Sequence, residues 1–187
     1  MSSRRIPLAR PGRGAPAARL AEMLRVDHAG EMAAVQIYRG QKRVFEAGGR
    51  AVIAADMARM EGEEDVHLKR FEALLTERQM RPTLMTPFWR LAAYGLGVGT
   101  ALMGEKAAHA CTEAVESVIG GHYADQADEI EDRDPAMAAQ FRQFRDEELA
   151  HHDHAIEQGA HEAPAYPLLS AVIKAGCRAA IRISEKV

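Results

Sequence analysis

The sequence predicts an all-α protein in which four long helices form a bundle and a fifth, amphipathic helix follows at the C-terminus. Apolar residues recur at steps of three and four along most of the 187-residue chain, and no segment alternates apolar and polar residues as a strand does. Aromatic residues make up only 5% of the chain, while alanine, methionine and glutamate, which lose little freedom in a helix, are plentiful. Both observations favour helices over sheets.

The first two helices are predicted for residues 17–47 and 50–79. In each segment the apolar side chains fall on one broad helix face, as expected for helices that pack in a bundle. Gly48 and Gly49 lie between the two segments, and glycine is the residue that most readily ends a helix.

A third helix is predicted for residues 88–123. Its first part, residues 91–104, is apolar on every side. A membrane-spanning helix needs roughly twenty apolar residues, so this segment is too short to cross a bilayer. It is expected either to be fully buried or to lie at a membrane interface.

Asp134 and Pro135 are typical of a helix start and predict a fourth helix that ends near residue 158. The last helix is predicted for residues 168–185. An apolar face with a basic flank suits a membrane surface. The apolar residues expected on one side are Leu168, Leu169, Val172, Ile173, Ala180 and Ile181, with Lys174, Arg178 and Arg182 elsewhere.

The N-terminal residues 1–19 contain five Arg, three Pro and no acidic residue. They predict a disordered basic tail ahead of one domain over residues 20–187; an arm on anionic lipid and a short transit peptide stay open as alternatives. The formal net charge of the chain is −3, whereas nucleic-acid-binding domains are usually basic, so we expect no nucleic-acid partner.

Two Glu-x-x-His motifs are the candidate chemistry of this chain: Glu64 with His67, and Glu148 with His151. Residues three apart share a helix face, so each pair can reach one ion. Chance alone supplies about one such pair in a chain of this composition, and the surroundings of the motifs therefore decide their meaning.

Glu31 and Glu116 lie 33 and 32 positions before these motifs, and both have apolar neighbours. A carboxylate in a core is costly unless its charge is balanced, and four carboxylates balance two divalent ions. Ferritin-like di-iron proteins use this set: one Glu from each of two helices and a Glu-x-x-His from each of two others. The pattern predicts a ferritin-like bundle with a two-metal site, and its mixed ligands suit iron or manganese better than structural zinc.

Other polar residues near the motifs have less certain roles. His28 is expected to make a core or supporting hydrogen bond, and His154 either supports the site or lies in solvent. His122 and Tyr123 are candidates for orienting the ligands or gating the site. Four further glutamates at adjacent helix angles are expected to face solvent, namely Glu61, Glu63, Glu113 and Glu147.

The chain resembles the demethoxyubiquinone hydroxylase family over nearly everything from about residue 20 onward. The resemblance implies a carboxylate-bridged di-iron monooxygenase in which Glu64 and Glu148 bridge the irons. Its catalytic and metal-binding residues would be Glu31, Glu64 and His67 for one iron and Glu116, Glu148 and His151 for the other. The segments that carry the resemblance are LRVDHAGE (24–31), EDVHLKRF (64–71), RPTLMTPFW (81–89), GTALMGEKAAHACTEAVE (99–116), FRDEELAHHD (144–153) and APAYPLLSAVIKAGCRAAIRISE (163–185).

The resemblance also implies the substrates and the setting. The enzyme would use O₂ to hydroxylate the ring of a polyprenylated demethoxyubiquinol in ubiquinone biosynthesis, with NADH or the quinol itself as electron source. We expect a peripheral protein on the cytoplasmic face of a bacterial cell membrane, or alternatively on the matrix face of the mitochondrial inner membrane. A homo-oligomer and a lipid-handling partner from the same pathway are also expected.

Three other functions fit parts of the pattern. An iron-storage protein of the ferritin class would share the site but form a hollow cage and need no lipid-facing helix. A membrane-bound quinone or lipid carrier would use the acidic cluster only structurally and would hold no stoichiometric iron. A manganese catalase would differ in its metal and in peroxide turnover.

Overall fold

The computed structural model describes residues 16–187, so the tail expected for residues 1–19 lies almost entirely outside the described residues. Within this range the chain forms helices and no strands, which confirms the predicted all-α class. A short 3₁₀ turn, Ala160–Glu162, precedes the last helix. The helices are α1 (Pro16–Ala47), α2 (Ala51–Glu77), α3 (Thr86–Leu102), α4 (Glu105–Ile130), α5 (Pro135–Glu157) and α6 (Tyr166–Ser184).

The bundle consists of two similar halves. Helix α1 packs along α2 in the first half, and α4 packs along α5 in the second. Helix α3 then lies against α1, and α6 lies against α4. The chain therefore repeats the order of long helix, long helix and covering helix, and the ferritin-like four-helix bundle carries two additional helices on its α1–α4 side.

The prediction of one helix over residues 88–123 is wrong, because the chain turns between α3 and α4. Gly104 has φ 113° and ψ 172°, a backbone conformation that residues with a side chain rarely adopt. The turn separates the two helices, so that α3 packs on α1 outside the bundle while α4 pairs with α5 within it. The apolar segment 91–104 therefore belongs to a separate covering helix.

Helix α3 approaches α1 closely through glycine. A side chain at Gly97 would begin 2.2 Å from the carbonyl oxygen of Ile37, and one at Gly40 would begin 2.6 Å from that of Tyr94. Both distances are too short for any carbon atom, so these two glycines are required for the observed contact between the helix backbones.

The outer faces of α3 and α6 are apolar and exposed. Segment 91–104 is thus buried on its α1 side only, and no helix in the described range is long and apolar enough to span a bilayer. In α6 the residues expected on one side are divided, since Ile173 points into the protein and Val172 points out. The large exposed apolar side chains of these helices are Phe88, Leu91, Leu102, Leu168, Val172 and Ile183.

The predicted start of the helix at Asp134 and Pro135 is confirmed. The Asp134 side chain accepts a 3.1 Å hydrogen bond from the backbone N–H of Met137, and Pro135 occupies the first turn of α5. Below the centre of the bundle, the rings of Phe71, Phe141 and Tyr123 stack in an aromatic core. This core closes one end of the bundle and holds α2, α4 and α5 in register.

Candidate metal centre

Six acidic and imidazole side chains meet in the middle of the bundle. They come from four helices: Glu31 from α1, Glu64 and His67 from α2, Glu116 from α4, and Glu148 and His151 from α5. All are buried, and their atoms form two groups whose members lie within 4.8 Å of one another. The two groups share two carboxylates. The first group is Glu31, Glu64, His67 and Glu148, and the second is Glu64, Glu116, Glu148 and His151.

The imidazole rings point their Nδ1 atoms at the shared carboxylates. Nδ1 of His67 lies 3.2 Å from Glu148 and 3.6 Å from Glu64. Nδ1 of His151 lies 2.8 Å from Glu64 and 3.6 Å from Glu148. Each histidine therefore faces the glutamate of its own motif and the one from the opposite helix.

Many of the oxygen and nitrogen atoms in these six side chains have no hydrogen-bond partner. Buried polar atoms are nearly always paired in native proteins, so a concentration of unpaired oxygen and nitrogen atoms indicates a missing bound group. A cluster of carboxylate oxygens and imidazole nitrogens matches the ligands of divalent first-row metals. The unpaired atoms are both side-chain oxygens of Glu64 and Glu148, Oε2 of Glu31 and Glu116, and Nδ1 of His67 and His151.

Burial also shifts the protonation of the cluster. It raises the pKa of the Glu31 and Glu116 carboxyls above the usual range, and the nearby Glu148 carboxylate raises both further. Burial by itself lowers the pKa of His151, but the carboxylates of Glu148 and Glu64 outweigh it and raise that pKa to about 11. Without metal, the centre therefore retains protons that a bound cation would displace.

Two tyrosines hold the outer glutamates of the cluster. The Tyr38 hydroxyl of α1 donates a 2.6 Å hydrogen bond to Oε1 of Glu116 on α4. In the other half, Tyr123 of α4 donates to Oε1 of Glu31 on α1. Burial raises the pKa of both tyrosines well above the usual range, so each hydroxyl keeps its proton and remains a donor.

Tyr123 was predicted as a candidate for orienting a ligand, whereas Tyr38 was not predicted. The signal was present: each tyrosine lies seven residues after a glutamate of the cluster, Tyr38 after Glu31 and Tyr123 after Glu116. Seven residues are about two helix turns, which places each Glu and Tyr on one face. The repetition of this spacing in both halves would have identified the pair.

Glu63 and Glu147 were expected only to face solvent, and that interpretation is incomplete. Each is partly exposed, but Oε2 of Glu147 lies 2.7 Å from Nε2 of His67, and Oε2 of Glu63 lies 2.9 Å from Nε2 of His151. A carboxylate that accepts from Nε2–H fixes the ring and leaves Nδ1 free for a metal. The signal in the sequence was the Glu-Glu-x-x-His repeat at residues 63–67 and 147–151.

Glu113 was also expected in solvent, and this prediction is wrong. Its carboxylate is buried and receives a 2.8 Å contact from the Lys174 ammonium group, together with hydrogen bonds from Tyr166 and Ser170. These three partners belong to α6. The cluster around Glu113 therefore holds α6 against α4. Glu61, the fourth of these glutamates, binds Arg39 and Lys42 of α1.

The remaining histidines lie outside the cluster. Nε2 of His154 is 2.8 Å from Asp56 of α2, beyond the metal-binding groups. His122 accepts a 2.9 Å hydrogen bond from Gln126. His28 is buried with Nδ1 unpaired, and burial lowers its pKa, so it is a neutral core side chain.

A sequence model of the family described as ubiquinone biosynthesis protein COQ7 matches residues 18–184. The chain is 48% identical over 177 residues to the 3-demethoxyubiquinol 3-hydroxylase of Rhodospirillum rubrum, covering 95% of this chain and 82% of that protein. It is 43% identical to the human NADPH-dependent 3-demethoxyubiquinone 3-hydroxylase, with 88% and 76% covered, and 37% identical to the 5-demethoxyubiquinone hydroxylase of Saccharomyces cerevisiae, with 92% and 80% covered.

Proposed function

The chain belongs to the ubiquinone biosynthesis protein COQ7 family, and we propose that it is a di-iron monooxygenase acting on a demethoxyubiquinol. It is a hydroxylase, an oxidoreductase of ubiquinone biosynthesis, as its relatives are. The proposed substrate is the 2-polyprenyl-3-methyl-6-methoxy-1,4-benzoquinol type of ring, with O₂ as co-substrate. The iron-storage and carrier functions receive no support from these relatives, which are named as hydroxylases.

The observation that carries the proposal is the set of unpaired donor atoms in two groups that share Glu64 and Glu148. Glu31 and His67 would hold one ion, Glu116 and His151 would hold the other, and Glu64 and Glu148 belong to both groups of candidate ligands. Bound iron would supply the electrons and open coordination positions needed to activate O₂. Four carboxylates would neutralise two divalent ions, which removes the cost of burying the acids.

The protein around this centre provides orientation and a dry environment. Tyr38 binds one oxygen of Glu116, and Tyr123 binds one oxygen of Glu31. The second oxygen of each carboxylate is therefore available to an ion. The six side chains of the cluster are buried, so the residues around the centre would keep bulk water away from the reaction. The phenol hydroxyls are also the nearest neutral proton donors to the two outer carboxylates.

The substrate carries a long apolar tail, so it must be taken from a membrane. The exposed apolar side chains of α3 and α6 support a peripheral membrane position, with the α1–α4 side of the bundle towards the lipid. From there the quinol ring would approach the centre between the covering helices. We propose the cytoplasmic face of a bacterial membrane; the mitochondrial relatives make the matrix face of the inner membrane the alternative.

The proposal includes an electron source and two kinds of protein partner. The mammalian relatives are named NADPH-dependent, so a reduced nicotinamide such as NADH is the proposed electron source. The exposed apolar faces of α3 and α6 also suit contact with a second copy or with a lipid-handling protein of the pathway. Both kinds of partner would occupy the same surface as the membrane.

The test is a single-turnover reaction under controlled O₂. Metal-free full-length chain is loaded anaerobically with two Fe²⁺ per chain, mixed with a short-tailed demethoxyubiquinol, and exposed to ¹⁸O₂. The expected product carries one ¹⁸O atom as a ring hydroxyl. A chain that binds two irons and yields no labelled product would overturn the monooxygenase proposal, and a chain that binds no iron would overturn the proposed centre.

A further inference from the structure

A groove on one side of the bundle leads from solvent to the metal centre. It lies between α2 and α5 and has a cavity volume of about 740 Å³. Its floor includes the rings of His67 and His151. The Nδ1 atoms of both rings are unpaired and belong to the candidate metal-binding cluster. In this groove, the imidazole rings of His67 and His151 separate solvent from the buried carboxylates.

The walls of the groove carry three acidic side chains along its length, Asp56, Glu63 and Glu147. Asp56 and His154 form a 2.8 Å pair at one end. Glu63 and Glu147 follow at the level of the two imidazoles, each within 2.9 Å of an Nε2 atom. These groups offer oxygen and nitrogen ligands along the path from the rim to the centre.

One cation already occupies the acidic wall. The Arg59 guanidinium group lies 2.9 Å from Asp56 and 2.7 Å from Glu63, and its side chain is 46% exposed. An exposed ion pair of this kind contributes little to stability and breaks readily. Arg59 therefore neutralises the acids of the groove without closing it, and a divalent ion can replace it.

The opposite side of the bundle does not suit a hydrated ion. Helices α3 and α6 cover α1 and α4 there, and their outer faces are apolar. At Gly97 the backbones of α3 and α1 are in direct contact. A dehydrated path between apolar helices is costly for a divalent ion, whereas the groove offers carboxylates throughout.

We propose that the α2–α5 groove is the route by which a divalent metal ion enters and leaves the centre. The inference rests on the proposed metal-binding role of the cluster. An incoming ion displaces Arg59 from Asp56 and Glu63, and the carboxylates of Glu63 and Glu147 pass it to the imidazoles that they contact. The metal ion thereby enters through the polar α2–α5 side of the bundle, and the quinol enters from the apolar side covered by α3 and α6.

The first test adds a positive charge to the groove. Val66 lines the groove and is 65% exposed, while Val52 is 89% exposed on the same helix and lies outside it. Metal-free full-length V66R and V52R are mixed with Co²⁺, and the rise of the cobalt absorption bands is followed by stopped flow. V66R should load roughly three- to tenfold more slowly than the native chain, and V52R at the native rate, because a local charge acts on the on-rate of an ion.

The second test removes a positive charge. Arg59 and Arg39 have equally exposed side chains, 46% each, and both bind carboxylates of α2, but Arg39 lies outside the groove and pairs with Glu61. R59M should load faster than the native chain and R39M should not. The difference should shrink at high salt, since screening weakens exposed charges.

All four variants should still bind two ions per chain, because none of them alters a metal-binding group. If a metal-free variant is not folded by circular dichroism, release of Co²⁺ from the loaded chain to excess chelator replaces the loading rate, since an ion leaves by the path it enters. Equal rates for V66R and V52R, with two ions bound, would overturn the proposed route alone. A native chain that binds no ion would instead overturn the proposed function.

Discussion

The Tyr38 hydroxyl donates a 2.6 Å hydrogen bond to Glu116, from α1 to α4 across the centre of the bundle. The reciprocal bond joins Tyr123 of α4 to Glu31 of α1. The imidazoles are held across the two halves in the same way, since Glu147 of α5 contacts the ring of His67 on α2. Each half of the chain therefore orients the candidate ligands of the other half, and the centre depends on both halves packing together.

Removing one of these hydrogen bonds should weaken one metal position. Tyr38→Phe leaves Glu116 without its donor, and loss of such a supporting contact typically lowers metal affinity about tenfold or more. We expect titration with Co²⁺ to show one weakened and one unchanged step. Tyr94→Phe, on the covering helix α3, is the matched control. Two steps of native affinity in Tyr38→Phe would show that the bond does not support the site.

The shared carboxylates should matter to both metal positions. Glu64→Gln and Glu148→Gln keep the side-chain volume but remove the charge that both groups use. Each should bind clearly less than one metal ion per chain, whereas Glu31→Gln should retain about one, as measured by elemental analysis after gel filtration. Glu61→Gln, at the α1–α2 surface, should bind two. Full metal content in both shared-carboxylate variants would contradict the bridging assignment.

Metal binding should release protons and strengthen as pH rises. Burial raises the pKa of Glu31, Glu64 and Glu116, and the carboxylates raise that of His151 to about 11, so the metal-free centre holds protons at pH 7. A cation must displace them, so its affinity should increase between pH 6 and pH 8. Calorimetry in two buffers of different ionisation enthalpy counts the protons. A count of zero at pH 7 would refute the expectation.

The pairing of Lys174 with Glu113 should stabilise the docking of α6. Lys174→Met leaves a buried carboxylate without its cation, which we expect to cost about 1–3 kcal/mol at pH 7. Burial works against the Glu113 charge, but Lys174 outweighs it and holds the pKa of that carboxyl below its usual range. The pair therefore stabilises the fold above the unfolded pKa, and this contribution is lost as pH falls through the folded one.

Urea denaturation at pH 7 and at acidic pH measures this contribution. The loss in Lys174→Met should be smaller at the acidic pH, and adding Glu113→Gln should recover part of the stability at pH 7 because the unpaired charge is removed. A Lys174→Met chain as stable as the native one at pH 7 would show that solvent already satisfies Glu113.

Membrane binding should depend on the apolar faces of the covering helices. Val172 of α6 is 61% exposed, and Val172→Glu places a charge where the bilayer is proposed to lie. Flotation with liposomes containing anionic lipid should fall sharply for this variant and should not change for Val52→Glu, because Val52 is also exposed (89%) but lies on α2, away from the covering helices. If the native chain does not float at low salt, the membrane position is wrong.

The turn at Gly104 shows where sequence patterns fail. Residues on both sides of it form helices readily, so helical spacing continues through the turn without interruption. Glycine is compatible with many backbone conformations, and its presence alone does not say which one is used. The fold class was predictable from local spacing, but the direction of α4 depends on one dihedral angle.

The sequence by itself determined the fold class, most of the helices and the six candidate metal-binding side chains, because these follow from helical spacing within single helices and from the repeated order of Glu and Glu-x-x-His along the chain. Tertiary structure alone decided which groups meet from different helices: Tyr38 with Glu116, Glu147 with His67, and Lys174 with Glu113. Such pairs depend on the rotation and axial offset of one packed helix against another. Those two quantities are set by the whole core, and no local spacing records them.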